Sequence, residues 1–203
     1  MDQDFSNAPS DQELEDLSLE MPALARLRDF ARLAENVQWF SDLGTPLRKK
    51  VREIARAYLD GLGFPDAGMA RLQSWEETAV AAESFDWDTE GWEAEESLRA
   101  ALTVDALEHL SEEALEIGMT YLFSRIQEQI RQAVLTAAAI WGTDDEELIA
   151  AAMGAALQAA HGAALAVVAL EDDAADHPFI HRFRLYERGR WPVGLAGRTY
   201  NIF

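Results

Sequence analysis

The sequence predicts an all-α protein, a single multi-helix bundle of about six or seven helices with a short extended or β-hairpin-like C-terminal tail docked on it. Three observations carry that expectation. Apolar residues recur at spacings of three and four along most of the chain, capping residues punctuate the periodic stretches, and the connections between them are short. A chain of 203 residues suits one domain and buries a sizeable core.

Residues 1–9 are polar and read as a disordered N-terminus. Ser10 and Glu13 then stand as a capping box before Leu14 and Leu17. Pro22 suits a first helical position, and Leu24, Leu27, Phe30, Leu33, Val37 and Phe40 form one face of a helix that Gly44 ends. Thr45 and Pro46 are expected to open the next helix as cap and first residue, with Leu47, Val51, Ile54, Tyr58 and Leu62 as its stripe. Gly61, Gly63 and Pro65 stop it. A third helix is expected from Pro65 to Ser84, marked by Met69, Leu72 and Val80. The acidic connection that follows carries Trp87 and Trp92, and Thr89 stands where it caps a helix running through Leu102.

Thr103 and Ser111 read as successive caps around a short helix from Val104 to Leu110. The longest stripe, Leu115 to Ile140, predicts a helix from Glu112 to Trp141 closed by Gly142. Thr143 and Glu146 form a second capping-box pattern before a last helix from Asp144 to Leu170. In "FIHRFRLY" the apolar residues alternate, so period two predicts a strand, with "ERGR" as a turn and Thr199 to Phe203 extended. Residues 10–176 thus read as an acidic helical bundle, and residues 177–203 as a basic, aromatic tail packed on it.

Charge and composition narrow the function classes. Asp and Glu number 37 against 17 Lys and Arg, a net charge of −20. Nucleic acid and anionic membranes are disfavoured as partners, because both are repelled within a Debye length of ~8 Å, whereas a basic protein is attracted. There is no cysteine, so disulfides, thiolate metal sites and a cysteine nucleophile are excluded. The basic residues are almost all arginine, alanine is abundant, and the first twenty residues lack a secretory signal. That combination reads as a bacterial cytoplasmic protein.

Leu148 to Leu170 holds no formal charge and has the length of a bilayer span. Its acidic flanks and its alanine and glycine content argue instead for the central helix of the bundle. Gly154 and Gly162 each cost ~1 kcal/mol against alanine in a helix interior. They therefore require a reason, either the close approach of a bulky neighbour or a pocket around Gly154 and His161. His161 has leucines at both positions four residues away, so the expectation is a core histidine rather than a metal ligand. His109 lies near Asp105, Glu112, Glu113 and Glu116, but no Glu stands three residues before any histidine, the spacing a carboxylate-bridged metal pair uses. No metal and no cofactor are expected. No phosphate loop, nucleophile elbow or zinc-protease motif occurs, and no residue stands out as catalytic.

In the tail, Arg188, Arg190 and Arg198 alternate with Trp191 and Tyr200, a composition enriched at protein interfaces. These five are the candidate interaction residues. The tail's large apolar side chains are expected to dock on the bundle itself. The leading functional expectation is a non-catalytic interaction factor whose acidic helical surface binds a basic protein. The alternatives are a small-molecule- or metal-binding bundle, an enzyme included, with a pocket beside the alanine-rich helix, and a homo-oligomeric structural protein.

Overall fold

Capping chemistry opens the fold where the sequence places it. In the computed structural model, which describes residues 8–83 and 90–203, the Ser10 hydroxyl accepts from the Glu13 N–H at 3.3 Å and the Glu13 carboxylate accepts from the Ser10 N–H at 2.8 Å. This box starts α1 (Asp11–Ser18), and Pro22 is the first residue of α2 (Pro22–Ala34). Residues 1–7, Trp87 and the expected cap Thr89 lie outside the described residues.

α2 ends ten residues before Gly44. Beyond its end the Asn36 side chain takes the Arg32 carbonyl at 2.8 Å, and Phe40, at a left-handed φ of 55°, lies outside the helix with its ring on Tyr186 and Trp191. α3 (Lys49–Gly61) likewise begins later than Thr45. The carbonyl oxygens of Thr45 and Pro46 accept from the buried Arg190 guanidinium at 2.8 and 3.2 Å, and the same group engages the Thr45 hydroxyl. A residue held in this way is not free to cap.

The expected helix from Pro65 to Ser84 divides into β1 (Gly68–Arg71) and α4 (Trp75–Glu83). Arg56 donates to the Pro65 and Ala67 carbonyls at 2.6 and 2.8 Å, which holds the chain extended into the strand. α5 (Glu90–His109) runs through Thr103 without a break, because the Thr103 hydroxyl donates back to the Arg99 carbonyl. Ser111 caps α6 (Glu112–Trp141), and Gly142 closes it at φ 73°. Asp145, not Thr143, caps α7 (Glu146–Leu170), its carboxylate accepting from the Leu148 N–H at 3.0 Å.

"FIHRFRLY" is helical. α8 (Pro178–Glu187) starts with Pro178 at its first position and the His177 ring accepting from the Phe179 N–H. It is buried nearly all round, on Phe179, Ile180, His181, Phe183, Leu185 and Tyr186, so no amphipathic stripe marks it. A turn at Gly189 leads to the hairpin β2 (Pro192–Ala196) and β3 (Thr199–Ile202). β3 pairs antiparallel with β2 and parallel with β1, giving a mixed sheet in the order β1-β3-β2.

The fold is thus eight helices packed together with a small three-stranded sheet among the described residues. α7, apolar and long enough to cross a bilayer, is the hub of the bundle and packs against α2, α5, α6 and α8. Its Gly162 has the packing reason that its cost demands: an added Cβ would stand 2.9 Å from the Phe179 ring of α8. Gly154 has none: among the described residues nothing outside its own helix backbone lies within 4 Å of an added Cβ. A second, smaller core joins Val51, Ile54 and Leu59 of α3 to Leu185 of α8 and to Leu195 and Ile202 of the sheet.

Candidate interaction faces

The tail residues separate into an interior group and an exposed pair. Arg190 is fully buried, paired with Asp42 at 2.9 Å beside its bonds to Thr45 and Pro46. Trp191 is 2% exposed, packed on Phe40 and Trp75, and its backbone exchanges two 2.8 Å hydrogen bonds with Phe203. Tyr200 is 1% exposed, its ring 5.1 Å from that of Tyr58. These three are interior groups rather than parts of a binding arm, because ring burial and hydrogen bonding to the bundle occupy them. Arg188 and Arg198 are exposed but lie apart, Arg188 beside Lys50 and Arg184 and Arg198 beside Asp66 and Glu90.

His161 is half-buried and stacks on Phe123, ring centroids 6.1 Å apart. Burial, and then the charge of Arg99, holds its pKa below the ordinary 6.5, so the ring is neutral near pH 7. Neither His161 nor Gly154 lines the clefts described below. Among the described residues no three His, Asp or Glu side chains converge as metal ligands.

One polar cluster sits inside the molecule. Arg182 of α8 donates to Glu95 of α5 at 2.6 Å, and the Tyr58 hydroxyl of α3 donates to the other Glu95 oxygen. Burial, reinforced by the Glu95 charge, pushes the Tyr58 phenol well above its usual pKa. The carboxylate is neutralised and the phenol does not ionise near neutral pH. The cluster therefore works as a clasp between α3, α5 and α8, not as an acid–base pair.

Two surface regions differ in charge. The first is the second half of α5 with what adjoins it. α5 fully buries Leu102 and Ala106 alone, and it leaves Val104 and Leu107 63% and 43% exposed. Asp105 and Glu108 are exposed on the same helix, and Glu112 and Glu113 follow at the start of α6, where carboxylates suit the positive end of the helix dipole. The Glu171 carboxylate, paired with Arg26 at 3.2 Å, stands 4.0 Å from the His109 ring. It brings the acidic 3₁₀ turn Glu171–Asp176 alongside.

The second region is the outer face of α3. Arg48, Lys49, Lys50, Arg52 and Arg56 lie within nine residues and project beside β1 and α8. A cleft of about 1200 Å³ between α3 and β1 is lined by the cations Lys49, Arg52, Arg56 and Arg71 against two carboxylates, Glu53 and Asp60, with Leu47 and Met69 as apolar neighbours. A smaller one of about 390 Å³ on the α8 side is lined by Lys50, His181, Arg184 and Arg188 together with Glu53 and Glu187. Glu53 lies 3.8 Å from both lysines. Among the described residues no carboxylate stands within 4.0 Å of Arg48, Arg52, Arg56, Arg71, Arg184 or Arg188. The local run "RKKVREIAR" is the sequence signal for this face, and the whole-chain charge of −20 obscures it. The chain matches no protein-family model, no curated protein and no solved structure.

Proposed function

We propose that this chain is a non-catalytic protein-interaction factor that binds a basic partner through the acidic face of α5, the start of α6 and the 3₁₀ turn. The observation that carries this reading is the exposure of Val104 and Leu107 at 63% and 43% beside the exposed carboxylates Asp105 and Glu108 of the same helix. Apolar anchors supply most of the affinity at an interface, while surrounding charges set the rate of encounter and the register. A partner that fits presents one or two apolar side chains flanked by lysine or arginine.

The test is capture from native lysate by the wild type, by Val104→Ser/Leu107→Ser and by Asp105→Lys/Glu108→Lys. The expected result is a basic protein that elutes with rising salt, is bound at least about tenfold more weakly by the serine variant and is lost by the lysine variant. Capture of the same proteins in the same amounts by all three would overturn the reading.

A further inference from the structure

We propose that the outer edge of β1, together with the basic cleft between β1 and α3, accepts an extended acidic peptide that adds as a fourth strand to the sheet. The first observation is the register. Gly68 pairs with Thr199 and Ala70 with Asn201. The Gly68 N–H donates to the Arg198 carbonyl at 2.8 Å and the Leu72 N–H to the Ile202 carbonyl at 2.9 Å. In a parallel ladder alternate residues of a strand bond to one neighbour. Gly68, Ala70 and Leu72 therefore face β3, and the backbone N–H and C=O groups of Met69 and Arg71 point away from it. β1 is the terminal strand in the order β1-β3-β2, so among the described residues those outward groups pair with no other strand. Such an edge is a template for a further strand.

The second observation is where that edge opens. Met69 and Arg71, the residues with outward backbone groups, also line the cleft whose opposite wall carries Arg52 and Arg56. An extended segment laid along β1 sends alternate side chains to opposite faces, so acidic residues at every second position face guanidinium groups. Arg56 is already held in place by the Pro65 and Ala67 carbonyls, and its charge has no carboxylate within 4.0 Å among the described residues. Leu47 and Ala57 line the same cleft and give the aliphatic stems of those acidic side chains an apolar floor. A cation on a sheet edge ordinarily discourages pairing. Here the cations select an acidic strand and reject the rest.

The occupant is a peptide rather than a nucleic acid or free phosphate. The outward groups of Met69 and Arg71 alternate donor and acceptor, and a peptide backbone complements both, whereas a phosphate backbone offers acceptors only. A chain of net charge −20 also repels a long polyanion, while a short segment bearing a few carboxylates meets mainly the local field.

The experiment uses the full chain and a labelled peptide of about eight residues alternating glutamate with valine. Its comparators are the same composition with a central proline, a lysine–valine peptide, and a single-stranded oligonucleotide of equal charge. The readouts are fluorescence anisotropy and amide hydrogen exchange at Met69 and Arg71. Binding of the glutamate peptide is expected, weakened at least about tenfold by the proline and by the exposed change Arg52→Glu, with new protection at both amides. Equal binding of the proline peptide, or of the oligonucleotide, overturns the proposal. So does binding without protection of those amides, or no binding by protein whose circular dichroism shows the native helices.

Discussion

α3 and α5 each turn one side to the core and one to water, and they use the outer side in opposite ways. Within thirteen residues α3 buries Val51, Ile54, Ala55, Tyr58 and Leu59, so its apolar residues are consumed inside and its outer face is left to charged groups in which cations outnumber carboxylates. α5 is twenty residues long and fully buries two, so apolar side chains remain outside among carboxylates. In a chain of net charge −20 an exposed carboxylate is background, and the informative groups on α5 are Val104 and Leu107. On α3 the cations are informative, because among the described residues Arg48, Arg52 and Arg56 have no carboxylate within 4.0 Å in a chain rich in them.

The largest effect is expected where the two helices are joined. Arg182→Met leaves the half-buried Glu95 without its counter-charge, at a cost of about 2–3 kcal/mol, and Arg182→Met/Glu95→Gln costs less than the sum of its two single changes. Denaturant unfolding of the two single variants and the double variant checks this coupling. Purely additive losses would mean that the clasp does not tie α5 to α8.

A smaller effect separates the two sides of α7, which packs on α5 and on α8. Gly162→Ala drives a Cβ to 2.9 Å from Phe179 and is expected to destabilise by about 1–3 kcal/mol. Gly154→Ala meets nothing within 4 Å and is expected to stabilise by about 1 kcal/mol. Thermal unfolding of both variants reads the opposite signs directly.

The smallest effect is a pH dependence. Burial, ahead of neighbouring charge, lowers the pKa of His161 on α7 and of His181 on α8 below the ordinary 6.5. As pH falls below that value the unfolded chain takes up the protons first. The stability these neutral rings contribute is therefore complete above pH 6.5 and is lost as pH falls toward the folded pKa. His161→Phe should flatten the decline below about pH 6.5 by no more than ~1.4 kcal/mol per pH unit. Parallel slopes for wild type and variant would mean that His161 is not kept neutral by the fold.

Local chemistry made much of the helical architecture legible. Ser10 with Glu13, Pro22, Ser111 and Gly142 act where their side chains or backbone preferences place them, and the long stripe of α6 maps onto its buried face. What failed was what distance decides. Thr45 looks like a cap until Arg190, far along the chain, takes its carbonyl. β1 is four residues inside a helix-like stripe and exists through pairing with β3. α8 is surrounded by core, so burial erases the periodicity that would reveal it. For the interaction faces, the run of cations around Lys49 is visible in the sequence. Its union with Met69, Arg71 and an open strand edge is a product of the fold. Exposure of Val104 and Leu107 was equally hidden, because nothing in α5 itself says how little of it α7 covers.

The parallel pairing of β1 with β3 also orders events in time. About 130 residues separate the strands, and at 5–20 residues per second a ribosome takes on the order of ten seconds to make them. Throughout that interval Gly68–Arg71 has no partner, and the wall that faces Arg52 and Arg56 is not yet built. The nascent chain emits its acidic segments, α5 and the start of α6 among them, before any edge exists to capture them. The strand edge and the cleft beside it are thus assembled last, when the C-terminal hairpin is made.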